Sequence, residues 1–174
     1  MKRGERGQSL IEFTFVGIPM IFVLISIFEI SRGMWIYTTL DHAAKEGIRY
    51  AIVHGINCGK NGNSCQVNLG PAANKCNNTN ATIAEVIQCA GLGLDPTLTK
   101  VKFISSQGTL GPYPLNAIPA TPWPPANGNQ PGQPVEIDIT TPFNSAIAML
   151  WPGGKPVSFA AVNFGASSSD QIQY

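Results

Sequence analysis

Residues 10–55 read LIEFTFVGIPMIFVLISIFEISRGMWIYTTLDHAAKEGIRYAIVHG, and the pattern changes character midway. From Phe13 to Phe28 sixteen residues pass without a charge, about 24 Å of helix at 1.5 Å per residue. Leu10 and Ile11 before this run and Met34, Trp35 and Ile36 after it lengthen the apolar surface, and Trp35 and Tyr37 suit a membrane interface. One membrane span is expected over about residues 10–30. Further on, Leu40, Ala43, Ala44, Gly47, Ile48, Ala51 and Ile52 recur along one helical face. Asp41 with Lys45 and Glu46 with Arg49 are spaced to form weak pairs elsewhere around the helix. The stretch therefore predicts a single helix of roughly 67 Å from Leu10 to about His54, ended by Gly55 as a C-cap. Pro19 lacks an amide donor, so the turn near Phe15 is expected to kink or loosen, a defect that neighbouring helices can cover.

Outward from this helix, the charge distribution sets an orientation. Lys2, Arg3 and Arg6, partly offset by Glu5, precede the span, and loops rich in Lys and Arg stay in the cytoplasm. The C-terminal part is then outside. Beyond Gly55, Lys60, Lys75, Lys100, Lys102 and Lys155 balance Glu85, Asp95, Glu136, Asp138 and Asp170, leaving no basic field for nucleic acid. A cleaved secretory signal shares the basic start and apolar core, but Glu29 and Arg32 stand where a small-x-small cleavage site belongs and the helical pattern continues. Charged residues make only 12% of the chain, against roughly 25% in ordinary soluble domains, which fits membrane or subunit contact. Glu12 is an acid at the entry to an apolar helix, costly in lipid unless a cation or headgroup water neutralises it.

The leader MKRGERG followed by QSLIEF resembles the prepilin signal of type IV pilins. The ordered blocks RGQSLIEF, IFEISRG and AAKEGIRYA are similar to the N-terminus of TadE-like pseudopilins from tight-adherence systems. This resemblance covers about the first 55 residues; VEIDITTPF and LWPGGKPVSFAAVNFGAS echo the family's later strands and turn more weakly. It implies an α+β, pilin-like fold: a leader over 1–7, a long helix over 8–55 carrying the span, and an exported head over 56–174 with a small antiparallel sheet. It implies further that prepilin peptidase cuts between Gly7 and Gln8, and that Glu12 docks subunits beside the new amine of Gln8. Implied partners are the inner membrane, other pilin or pseudopilin subunits, including copies of this chain, and the pilus assembly platform. The head would lie in the periplasm or on an extracellular pilus.

The small residues Ala43, Ala44, Gly47 and Ala51 are expected to let helices of neighbouring subunits approach closely. Cys58, Cys65, Cys76 and Cys89 are spaced too widely for zinc modules. They predict two disulfides of an exported domain, with all three pairings open. A loop is expected to about Asn80, a short helix from Ala81 to Ala90 ended by Gly91, and strands at Lys100–Ser105, Pro134–Thr140 and Pro156–Phe164. Phe143–Leu150 reads as a second short helix packing Ile147, Leu150 and Trp151 on the sheet. The proline-rich stretch between the first two strands reads as an irregular loop, with Tyr113 and Trp123 as an exposed contact surface.

His42 and His54 are the chain's two histidines, and neither has a carboxylate and nucleophile beside it in a catalytic pattern. GxSxG, HExxH, P-loop and GxGxxG motifs do not occur. The expectation is a structural protein without catalytic residues, metal or cofactor. Three readings stand: a minor pilin or pseudopilin, a major filament-forming pilin, and an unprocessed bitopic periplasmic binding or adhesion protein.

Overall fold

The computed structural model describes residues 5–53, 67–72, 76, 82–145 and 162–173. They divide at Trp35/Ile36 into the apolar part of the helix and a head that comprises Ile36–Phe143 and the C-terminal strand.

Helix α1 runs Glu5–Val53, about 73 Å, starting five residues before the expected first turn. The helix passes unbroken through Pro19. Gly55 and His54 lie outside the described residues. The head adds strand β1 (Val67–Asn68), helix α2 (Ile83–Ala90), strands β2 (Lys100–Ser105), β3 (Gly108–Pro114), β4 (Pro122–Trp123), β5 (Pro134–Phe143) and β6 (Val162–Gln171), and 3-10 turns at Leu115–Ala117 and Ala126–Gly128. The main sheet is antiparallel in the order β3-β2-β5-β6, and β1 pairs with β4. The structure is thus α+β, a long N-terminal apolar helix with a four-stranded sheet.

Period-two alternation builds the sheet's inner face. Val135, Ile137, Ile139 and Thr141 of β5 are buried on alternate positions. Register places Val101 opposite Ile139 and Phe103 opposite Ile137, and such cross-strand apolar pairs contribute roughly 0.2–1 kcal/mol each beyond their burial. The expected face of α1 covers this layer: Leu40, Ala43, Ala44, Ile48, Ala51 and Ile52 all join the core. α2 has a capping box that its Thr-x-x-Glu spacing signals: Glu85 N donates to Thr82 Oγ1 at 3.2 Å, and Thr82 N donates to the Glu85 carboxylate at 3.1 Å. Gly91 caps its other end as expected, donating to Ile87 O, while the helix begins at Ile83, two residues after the expected start. Ala81 lies outside the described residues.

Four expectations are corrected. Trp123 is not an exposed contact: it is fully buried, its ring centroid 5.3 Å from that of Phe103, because β4 returns the proline-rich segment to the core through its pairing with β1. Tyr113 is half-buried against the same core. The segment itself is not irregular throughout, since β3 occupies its start. The last strand spans Val162–Gln171 rather than ending at Phe164, because ten consecutive pairings with β5 carry it through Ser167, Ser168 and Ser169, where tertiary pairing overrides weak strand propensity. Finally, Phe143 ends β5 and starts no helix; residues 146–161, with Ile147, Leu150 and Trp151, lie outside the described set.

Candidate functional site

The N-terminal helix uses its two halves differently. Along its first half nearly every large side chain is exposed, from Leu10 at 69% through Phe15 at 77% to Phe28 at 76%. Among the described residues nothing covers them, and apolar surface of this extent calls for an apolar medium. By length and composition the helix is able to cross a membrane. Its hydroxyls fit that medium: Thr14, Ser26 and Ser31 each donate to the carbonyl four residues back, Leu10, Phe22 and Ile27, at 2.8 Å, which removes their demand for water. Glu29 and Arg32 approach at 3.7 Å near the end of this half.

Gly7 and Gln8 lie in the first turn of α1. Glu12 is exposed one turn further on, and it makes no ion pair with any described residue.

The second half is bound into the head. Here the small residues have a role other than the one expected between subunits. Ala43, Ala44 and Ala51 are buried by the chain itself, and a Cβ added at Gly47 would stand 2.8 Å from Ile87 Cγ1 and 3.3 Å from Ile137 Cδ1. The close approach that small residues permit is therefore made by α2 and β5. The opposite side carries Asp41–Lys45 at 2.7 Å and Glu46–Arg49 at 3.0 Å, as the spacing predicts, with His42 exposed beside them. Gly47→Ala is expected to destabilise the head by about 1–2 kcal/mol: overpacking costs roughly 1–3 kcal/mol, offset in part by up to about 1 kcal/mol of helix propensity. Urea denaturation of the two proteins in the same detergent measures the difference.

Tyr50 is half-buried against the core of the head. Burial first, and the Glu85 carboxylate second, raise its hydroxyl above the ordinary tyrosine value. The unfolded chain then loses this proton at lower pH than the folded one. Stability is intact below about pH 10 and falls as pH rises through the folded value. Tyr50→Phe is expected to flatten that alkaline fall, read as melting temperature between about pH 9 and 11.

Of the expected cysteine pairings the structure forms Cys76–Cys89, with Cα atoms 5.5 Å apart, fastening an exposed turn to α2. Cys58 and Cys65 lie outside the described residues. Among the described residues no group of three or more His, Cys, Asp or Glu is placed to hold a metal ion.

The family comparison falls on the same helix. Residues 7–49 match the family model of TadE-like proteins. The N-terminal helix is TadE-like. The match spans both halves of α1 and leaves the rest of the head unmatched. No curated protein and no solved structure matches the chain.

Proposed function

We propose that this protein is a minor pilin or pseudopilin of a tight-adherence pilus, held in the inner membrane by the first half of its TadE-like helix and assembled through that half. The observation that carries this is the division of one continuous helix: residues 40–52 are consumed by the chain's own core, while the side chains of residues 10–35 are presented outward. A helix surface of that composition is stable in lipid or against other such helices. Passing from membrane to pilus exchanges the first covering for the second.

In this reading residues 1–7 are a leader removed by prepilin peptidase between Gly7 and Gln8. The bond lies in the first helical turn, so the peptidase must locally unwind it. Glu12 then pairs with the amine of Gln8 on a neighbouring subunit, and subunit contact falls on residues 10–35, not on the small residues of the second half. The head, from about residue 56, is periplasmic and stapled by Cys76–Cys89; a second bridge leaves Cys58 to pair with Cys65. The pilus assembly platform would lift the subunit out of the membrane. The reaction classes of enzymes have no part in this.

Protease digestion tests the topology. In spheroplasts the head is expected to be cut while a helical fragment stays with the membrane; in inverted inner-membrane vesicles the head is expected to be protected. Protection in spheroplasts with cleavage in inverted vesicles would reverse the orientation and sink the proposal.

A further inference from the structure

Outside α1, the head carries its exposed apolar side chains mainly at one end. α2 runs back along α1: Glu85, in its first turn, acts on Tyr50, and Ile87 Cγ1 stands 2.8 Å from a Cβ added at Gly47. Each step along α2 therefore leads toward Ile36, the first residue of α1 within the head. Leu92, five residues past Ile87, is level with about residue 42, roughly 9 Å of helix from Ile36. The turn after α2 points it outward. Leu94 is buried and Leu92 is 71% exposed, while Gly93 between them takes φ +86, a left-handed conformation that suits glycine. Asp95 then fixes the next turn. Its Oδ1 accepts from Thr97 N and Thr97 Oγ1, and its carbonyl accepts from Leu98 N and Thr99 N, leaving Leu98 exposed. β2 starts two residues later at Lys100. Register puts the exposed Val162 at this same end, since Lys100 faces Thr140 and Val162 faces Phe143. Among the described residues of the head outside α1, these are three of the four exposed large apolar side chains; the fourth, Leu110, lies on β3. At the opposite end the sheet turns through polar Ser106 and Gln107.

We infer that this end of the head rests on the lipid surface, with Leu92 and Leu98 set in the headgroup layer of the membrane that α1 spans. The inference rests on the proposed membrane reading of α1. Its occupant follows from continuity: α1 passes without a break from its apolar half into the head at Ile36, and the apolar side chains gather at the end where it enters. Leucines that extend apolar surface into a headgroup layer bind it in proportion to the area they bury. Asp95 and Lys100 beside them carry charges of opposite sign, which that polar layer accommodates. A head seated in this way adds a second lipid contact, besides the helix itself, that assembly must break.

The test places an environment-sensitive fluorescent amino acid at Leu92, Leu98, Gln107 or Phe22 of the full chain in phosphatidylcholine vesicles. Quenchers are aqueous iodide and a lipid carrying a doxyl group near its headgroup. Lipid quenching is expected at Leu92 and Leu98, and iodide quenching alone at Gln107. Leu92→Glu is expected to lower lipid quenching of the Leu98 probe about fivefold, while the Cys76–Cys89 bond still forms, reporting an intact head. Phe22 reads the span. If Phe22 is shielded from iodide while Leu92 is open to it and beyond the lipid quencher, the inference falls and the membrane reading stands; Phe22 open to iodide removes both. A Leu92 probe that neither quencher reaches is covered by the chain itself or by a second copy, which overturns the inference. Equal lipid quenching at Gln107, or a Leu98 signal unmoved by Leu92→Glu, overturns it too.

Discussion

Trp123→Ala is expected to destabilise the head by about 4 kcal/mol, the typical cost of deleting a large buried aromatic. Trp123 is fully excluded from solvent and tilted against Phe103 at 5.3 Å. Phe103 is paired with Ile137, and Ile137 reaches the Gly47 position of α1. The indole thus fills the core on which both helices rest. Collapse around the cavity is limited, because β4 consists of just Pro122 and Trp123 and is held by two pairings with β1. Hydrogen exchange of β5 amides reads the effect: protection is expected to fall by up to about a thousandfold where exchange follows global opening. If protection is unchanged and only assembly suffers, Trp123 is a contact residue after all, and the packing described above is in error.

Glu12→Leu has the second large effect, on assembly and not on the head. In the membrane a lone acid in an apolar helix costs up to about 3 kcal/mol, so the variant is expected to stay inserted at least as firmly as the parent. In the proposed bundle the same substitution would leave the neighbouring Gln8 amine without its counter-charge. Breaking one side of a buried pair costs roughly 3–5 kcal/mol, which corresponds to at least a hundredfold loss of incorporation. Quantifying the chain in sheared pili against the membrane fraction separates the two effects. Unchanged incorporation would assign Glu12 to the headgroup region and remove it from docking.

The division of the helix was legible because two periodicities are written into it: an uninterrupted apolar run, then a face recurring through Leu40, Ala44, Gly47 and Ala51. What that face packs against was not legible. Small residues favour close approach to any apolar surface, and nothing local distinguishes another subunit's helix from Ile87 and Ile137 of the same chain. Trp123 misled for a related reason: its neighbours are prolines, which specify an irregular backbone but not its depth. β6 was half-read because Ser167–Ser169 carry no strand signal of their own and are held by the partner strand. The α2 boundary, by contrast, had a local signature in Thr82 and Glu85, and a search for the capping box would have placed its first residue.

Intact mass measurement of the protein from native membranes, in cells with and without prepilin peptidase, tests the central claim most directly. The account expects a chain beginning at Gln8 when the peptidase is present and one retaining the leader when it is absent. A chain that retains Met1 in both strains would contradict it and leave an unprocessed, membrane-anchored periplasmic protein in its place.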